Sequence, residues 1–125
     1  MESMKYFSIN FALALFFIFF QGVQNNLYGQ ITSIPDINFE QALIDLAIDS
    51  DGIINGQVLT SDINQIIALD ISGKGIQDLT GIDDFNALES LDVSNNDLSI
   101  LDVSDNLQLN EIYVSNTGCA NLLIN

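Results

Sequence analysis

The chain has 125 residues, 17 acidic side chains and two cations, Lys5 and Lys74, which give a formal net charge of −15 at pH 7. This length accommodates one domain at most. The shortage of basic residues excludes nucleic-acid binding through phosphates, and the lack of histidine excludes His-based metal sites and catalytic triads. Cys119 is the single cysteine, so no disulfide can form within the chain. Its place in the pattern described below predicts a small buried hydrophobe.

Residues 1–29 predict an export signal. Lys5 lies in a short polar start, residues 11–20 form an unbroken run of ten apolar residues, and a polar stretch follows. Ten residues are about half of what a membrane-spanning helix needs, which favours a removable secretory signal over a retained anchor. We expect cleavage near Gly29 and a secreted or cell-surface product, with no stable membrane insertion after the signal is removed.

Residues 30–66 predict a helical N-terminal cap. A helix is expected to begin after Pro35, with Asp36 or Asn38 as its N-cap. Glu40 is expected to face solvent. Apolar residues spaced by three and four positions predict one buried stripe: Phe39, Ala42, Leu43, Leu46 and Ala47. Such a helix would cover the open first edge of a stack of repeats.

The turn after this helix, Asp49-Ser-Asp51-Gly52, resembles a calcium-binding loop. Asp49 and Asp51 would take positions 3 and 5 of an EF-hand. Positions 1 and 12, which need carboxylates, would then be Ala47 and Val58. A plain helix-to-strand turn is therefore the favoured interpretation, and a calcium site at Asp49 and Asp51 is the alternative. No other cofactor is predicted.

Residues 67–125 carry a repeated pattern. Residues 88–98 match L-x-x-L-x-L-x-x-N-x-L, the leucine-rich-repeat signature. Leu91 and Val93 lie two apart, so a short strand points both to one face. Asn96 is expected to satisfy backbone groups where the chain leaves the strand.

Similar units precede and follow this one. Leu69 to Leu91 is 91−69 = 22 residues, and Leu91 to Ile112 is 112−91 = 21 residues, both typical of this architecture. Residues 98–106 echo the signature within a return arm, where Leu101, Val103 and Leu107 are expected to point inward. The sequence therefore predicts an α/β fold, a leucine-rich-repeat solenoid with short parallel strands on its concave face and an α-helical N-terminal cap.

About two and a half repeats precede Asn125, fewer than the three or more expected for stability. We therefore expect a fragment or truncated product of a longer repeat protein, or a module that continues or self-associates through the open edge of its last strand. Ile112 and Val114 would lie at that edge.

Several of these segments resemble known proteins. Residues 34–43 and 59–63 resemble the helical cap of internalin-type bacterial proteins, and residues 69–82 resemble its join to the first repeat. Residues 91–96 and 101–106 look like the repeats of secreted leucine-rich proteins in Gram-negative gliding bacteria. The resemblance covers about residues 34–117. It implies a secreted or surface-exposed adhesion module that binds a protein or glycan.

The candidate binding residues are the outward side chains of the predicted strands and the residues that follow them. They are Asp70, Ser72, Asp92, Ser94, Asn95, Glu111, Tyr113 and Ser115. Tyr113 suits an interface because tyrosine is a common binding anchor. An ordinary solvated strand face is the plainer interpretation.

An enzymatic alternative pairs Asp70 with Asp92. Adjacent strands are roughly 5 Å apart, which meets the carboxylate spacing of a retaining glycosidase. No further catalytic residue or pocket-forming insertion accompanies the pair, so a binding protein rather than an enzyme is expected.

Overall fold

The computed structural model describes residues 29–125, so the predicted signal segment, apart from Gly29, lies outside the described residues. The described chain combines short helices with three-residue strands and is an α/β structure. In chain order its elements are β1 (Ile31–Ser33), α1 (Ile37–Asp45), β2 (Gln57–Leu59), α2 (Thr60–Ile63), β3 (Ala68–Asp70), a 3-10 turn (Ile82–Asp84), β4 (Ser90–Asp92), β5 (Ile100–Asp102), β6 (Glu111–Tyr113) and β7 (Asn121–Leu123).

Helix α1 begins where the sequence predicts. Asp36 is its N-cap, and the Asp36 Oδ1 accepts the backbone N–H groups of Asn38 at 2.9 Å and Phe39 at 3.0 Å. These bonds satisfy two of the donors that every helix start leaves unpaired. The ring of Phe39 is fully buried and stacks on Phe85, with the ring centroids 6.2 Å apart. The helix therefore joins the core through its predicted apolar stripe.

Two predictions about this helix are wrong. Leu46 and Ala47 are exposed because the helix ends at Asp45 and the backbone at Ala47 turns to a positive φ of 56°. Glu40 is completely buried rather than solvent-facing. Its carboxylate accepts the backbone N–H groups of residues 55, 56 and 57 at 2.8, 2.9 and 3.2 Å. The turn before β2 thus replaces the water that this charge loses on burial.

Strands β1 and β2 form an antiparallel pair in the segment of residues 29–66, which we call the helical segment. Side chains and backbone groups tie this segment to the residues that follow. The Asp36 Oδ2 accepts the N–H groups of Gln77 at 2.9 Å and Asp78 at 3.0 Å. Thr32 donates its hydroxyl hydrogen to Asp84. The carboxylate of Asp36 thus caps a helix and also fixes the first return arm.

The repeated pattern forms two parallel sheets. One sheet has the order β3-β4-β6, with Leu69, Leu91 and Ile112 in register. The other pairs β5 with β7 and comes from the return arms. This second sheet explains the echo of the signature at residues 98–106. One core of buried apolar side chains runs through the helical segment and both sheets: Ile34, Phe39, Ala42, Leu43, Val58, Ile63, Leu69, Ile71, Ile76, Leu79, Ile82, Phe85, Leu88, Leu91, Val93, Leu98, Leu101 and Val103.

Asn96 acts as its position in the signature predicts. Its Oδ1 accepts the N–H groups of Lys74 at 3.1 Å and Ile76 at 3.0 Å, and its Nδ2 donates to the carbonyls of Ile71 and Val93, both at 2.9 Å. One buried amide therefore links two successive turns of the chain by hydrogen bonds.

The return arm differs from prediction at one residue. Leu101 and Val103 are buried as expected, whereas 69% of Leu107 is exposed. The chain turns tightly here, with the Leu107 N–H bonded to the Asp105 carbonyl at 2.9 Å. Asn106 takes the inward position instead. Its Nδ2 donates to the carbonyls of Ile82 at 2.7 Å and Phe85 at 3.3 Å.

Candidate ligand-binding face

The outward side chains of β3, β4 and β6 form what we call the strand face. Asp70, Asp92 and Tyr113 are register partners on the three neighbouring strands. Ser90 and Glu111 are register partners at the other end of β4 and β6, with the Ser90 Oγ 3.5 Å from the Glu111 Oε2. Four predicted site residues, Asp70, Asp92, Glu111 and Tyr113, are therefore brought together with Ser90 on one face, with strands roughly 5 Å apart.

The aspartates of this column are held by their own backbone. Asp70 Oδ1 accepts the N–H of Ser72 at 3.0 Å, and Asp92 Oδ1 accepts the N–H of Ser94 at 2.9 Å. The N–H and hydroxyl of Ser72, aided by the charge of Lys74, lower the pKa of Asp70. Asp70 is therefore ionised at neutral pH and offers only hydrogen-bond acceptors to a ligand.

The second predicted row contributes less surface. Ser72 is half-buried, Ser115 is exposed, and only 7% of Ser94 is exposed. Ser94 follows the central strand β4, so a neighbouring turn of the chain lies on each side of it. Asn95 itself is exposed, and its Oδ1 accepts the side-chain amide of Asn116 at 3.1 Å. The accessible surface therefore centres on the Asp70–Tyr113 column and Ser90.

A shallow groove lies beside this column and contains residues that the sequence pattern does not mark as binding residues. Leu46 and Ile48, which follow the end of α1, line a depression of about 410 Å³. The opposite wall consists of β3 and β4 residues: Ala68, Leu69, Asp70, Ser90 and Asp92. Leu46 is 45% exposed and Tyr113 is 54% exposed. The face thus combines fixed carboxylates with apolar contact surface, which is the usual composition of a binding site.

Asp49 and Asp51 lie elsewhere, in the turn after α1. Asp49 Oδ1 accepts the N–H of Asp51 at 3.2 Å, and the two oxygens of Asp51 accept groups of Ile53 and Asn55, both at 2.8 Å. Burial and the nearby charges of Asp51 and Glu40 raise the pKa of Asp49 despite its bond to the Asp51 N–H. The Asp49 Oδ2 has no hydrogen-bond partner.

These carboxylates mainly shape the turn. Within residues 29–125, no group of three or more acidic, cysteine or histidine side chains is placed to hold a metal ion.

In the same part of the chain, neither helix is long and apolar enough to cross a membrane.

Comparisons with known proteins give the fold its context. No family model and no curated protein matches the chain. Among solved structures, the functional domain of InlJ from Listeria monocytogenes is 25% identical with a TM-score of 0.51, over 65% of this chain and 18% of that one. Internalin C2 from the same species is 24% identical with a TM-score of 0.56, over 72% of this chain and 41% of that one.

A third similar structure contains the CBM51-2 and INT domains of ZmpB from Clostridium perfringens. It is 24% identical with a TM-score of 0.56, over 67% of this chain and 17% of that one. The chain therefore spans less than half the length of each of these structures. Together with the parallel strands and the buried amide of Asn96, the similarities identify an internalin-like, leucine-rich-repeat α/β fold.

Proposed function

We propose that the protein is an exported interaction module that binds a protein or glycan through its strand face. The observation that carries this proposal is the in-register column of Asp70, Asp92 and Tyr113 beside the apolar groove of Leu46 and Ile48. Fold similarity alone does not specify a function, so the composition of this surface is the main support for the proposal. The internalin-like fold adds support to the proposal, because the resemblance to internalins implies adhesion.

The chemistry of the column limits the ligand to one that supplies hydrogen-bond donors. Asp70 and Asp92 lie side by side with like charge, which is unfavourable until a donor or cation bridges them. Sugar hydroxyls, amides and basic side chains all meet this need. Tyr113 adds a rigid aromatic surface on which a sugar ring or an apolar side chain can rest.

We further propose the domain organisation that the sequence predicts. Residues 1–29 would direct export to the cell surface or the medium, residues 30–66 would cap the repeats, and residues 67–125 would form the first turns of a solenoid with a concave strand face. Two contacts support the capping role: the bond of Asp36 to the first return arm and the stacking of Phe39 on Phe85.

Binding is favoured over catalysis at this face. The groove is shallow, and each of the two aspartates has one oxygen engaged by a backbone N–H. A retaining glycosidase needs one carboxyl as a general acid, whereas the pKa of Asp70 is lowered. The arrangement therefore suits a stable acceptor surface rather than proton transfer.

The test compares D92N and Y113A with D102N on a glycan array and in an adhesion assay with cultured cells. Asp102 is a matched control, because its Oδ1 accepts the N–H of Ser104 at 3.1 Å just as Asp92 binds Ser94, but it lies on the β5–β7 sheet. We expect D92N and Y113A to weaken binding at least about tenfold, which corresponds to about 1.4 kcal/mol. Binding by D92N and Y113A as strong as that of the wild type would contradict the proposal. So would a loss of binding in D102N equal to the loss in D92N and Y113A.

A calcium-binding structural role is the second candidate, and the unpaired Asp49 Oδ2 is the observation that favours it. Calcium prefers six to eight oxygen ligands, and three of the four carboxylate oxygens of Asp49 and Asp51 are already hydrogen-bonded. Thermal melts with calcium and with chelator test whether calcium stabilises the protein. A shift in Tm that D49N abolishes would support a calcium site, and identical melts would refute it.

A further inference from the structure

The first return arm (residues 78–87) and the second return arm, which contains β5, are bonded to each other only near their ends. Before β5, the Asp97 N–H donates to the Ile76 carbonyl at 3.0 Å. After β5, the Asn106 Nδ2 donates to the Ile82 carbonyl at 2.7 Å. Between these contacts, in the part of the chain that the structure describes, no backbone hydrogen bond joins β5 to the first return arm. The next turn differs, because β5 pairs along its whole length with β7.

The edge of β5 that faces the first return arm has unpaired backbone groups. Along a strand of a parallel sheet, successive residues direct their N–H and C=O groups to opposite sides. The Ser99 carbonyl and the Val103 N–H bond to the β7 side. Ile100 and Asp102 therefore direct their backbone groups to the other side, where the described residues supply no hydrogen-bond partner for them. Such an edge favours pairing with another strand.

The first return arm does not supply that strand, because its backbone bends. Gly81 has a φ of 100°, outside the range of an extended strand, and a Cβ there would lie 2.5 Å from the Ser33 carbonyl oxygen. One residue earlier, the Thr80 N–H and hydroxyl both donate to the Asp78 Oδ1, at 2.8 and 2.7 Å. The arm therefore turns on itself instead of running beside β5.

The space left beside β5 is a groove of about 440 Å³, which is within the range of about 300–1,000 Å³ that ligand sites occupy. Leu79 and Ile82 in its lining are buried, whereas Ile100 is 56% exposed. Asp83 and Asp105 are exposed, and neither is paired with a cation among residues 29–125. We call this space the return-arm groove, and its lining consists of Asp78, Leu79, Thr80, Gly81, Ile82, Asp83, Ile100, Asp102 and Asp105.

We infer that the return-arm groove binds an extended segment of a partner protein, with alternating basic and apolar residues, as a strand added to β5. Strand addition takes its affinity from main-chain hydrogen bonds and its specificity from alternate side chains. The N–H and carbonyl groups of Ile100 and Asp102 supply the main-chain bonds. Apolar side chains of the segment contact the apolar lining, and its basic side chains pair with Asp83 and Asp105. This groove is separate from the strand face, so the inference goes beyond the proposed function.

A metal ion and a second copy of the chain match the groove less well than such a segment. Calcium takes oxygen ligands only, whereas the edge of β5 also presents N–H donors. A second copy has only two cations, Lys5 and Lys74, and a net charge of −15, so two copies repel each other. A segment rich in lysine or arginine is instead attracted to the acidic rim.

The experiment measures binding of a fluorescent peptide of alternating valine and lysine to the full chain by fluorescence anisotropy. Two further peptides carry backbone N-methyl groups, one on its valines and the other on its lysines. Because an added strand bonds through alternate residues, we expect one methylated peptide to bind at least about tenfold more weakly and the other to bind like the unmodified peptide. Equal binding of the two methylated peptides, or no binding of the unmodified one, would overturn the inference.

Protein variants and hydrogen exchange locate the bound peptide. D83N should weaken binding about threefold, whereas E89Q, which removes one charge from an exposed site outside the groove, should not. Circular dichroism melts show that both variants are folded. Binding should slow exchange of the Ile100 and Asp102 N–H groups. Equal losses in the two variants, or unchanged exchange at Ile100 and Asp102, would overturn the inference. So would displacement of the peptide by an equimolar amount of calcium, which would indicate a metal site.

Discussion

At the β3 side of the parallel sheet, the chain packs on the helical segment, whereas at the β6 side the same repeat pattern faces outward. Leu69 and Leu91 are buried, but their register partner Ile112 is only half-buried. Asn96 satisfies backbone groups of two turns, while Thr117, in the equivalent position of the next repeat, bonds to the Val114 carbonyl of its own turn. Repeats with the same pattern of apolar positions are therefore not equally stable, because each turn depends on the polar group that links it to its neighbour.

The largest expected effect comes from breaking that link. Asn96→Ala removes five hydrogen bonds of a buried amide and leaves the N–H groups of Lys74 and Ile76 unpaired. We expect a loss of about 3–4 kcal/mol in the free energy of unfolding, measured by urea denaturation. Thr117→Val is the control, with an expected loss of about 1 kcal/mol. Similar losses in the two variants would contradict the difference between the turns.

The next effect concerns the buried charge of the helical segment. Glu40→Gln keeps the side-chain shape but replaces an oxygen that accepts backbone N–H groups with a competing donor. We expect a loss of about 2–3 kcal/mol in the free energy of unfolding. Glu89→Gln, at an exposed site, should change it by less than about 0.5 kcal/mol. A stable Glu40→Gln variant would mean that the turn at 55–57 does not depend on the charge.

A smaller effect on the free energy of unfolding, with a distinct pH dependence, is expected at Asp36, which links the helical segment to the first return arm. Although burial alone would raise the pKa of Asp36, the N–H groups of Gln77, Phe39, Asp78 and Asn38 together lower it. The folded pKa is then below the unfolded value of about 3.9. The stabilisation is therefore complete above that value and is lost as pH falls through the lower, folded pKa.

The variant Asp36→Asn tests this sign. It should lower the free energy of unfolding by about 1 kcal/mol at pH 7 and by progressively less below about pH 4. Urea denaturation at a series of pH values measures both. Asp105→Asn, at an exposed carboxylate, provides the comparison. A gap between wild type and Asp36→Asn that stays constant down to pH 2 would contradict the charged role of Asp36.

The smallest effect is expected at Leu107. Because 69% of this side chain is exposed, Leu107→Gln should change the free energy of unfolding by less than about 0.5 kcal/mol. Leu101→Ala, at a fully buried position of the same return arm, should cost about 2–5 kcal/mol. Thermal melts of the two variants measure the contrast. A large loss in Leu107→Gln would show that the side chain packs inward as its spacing first indicated.

The sequence predicts the parallel strands, their register and the role of Asn96, because these depend on a spacing that several turns of the chain repeat. It does not predict the burial of Glu40, since an acidic residue beside an apolar stripe is normally solvated and only the distant turn at 55–57 supplies its donors. Nor does the sequence predict that Leu46 is exposed. The helix ends there because Ala47 has a left-handed backbone, and an alanine in the sequence does not indicate that conformation.

The same limit applies to the candidate binding face. Alternation along the strands predicts that Asp70, Asp92 and Tyr113 share one face, and they are register partners. The burial of Ser94 depends on the turns packed on both sides of it, and the apolar wall of the groove depends on how the residues after α1 pack. Such contacts between segments distant in sequence are not contained in a local pattern.

Native-state hydrogen exchange of the full chain tests most directly the claim that the β3 side of the parallel sheet is more stable than the β6 side. Two equivalent bonds report on successive turns, namely the N–H groups of Ile71 and Val93, bonded to the carbonyls of Asp92 and Tyr113 at 3.0 Å each. We expect the Val93 N–H to be less protected than the Ile71 N–H, because local opening is easiest where packing is least. Equal protection of the two groups would contradict the account.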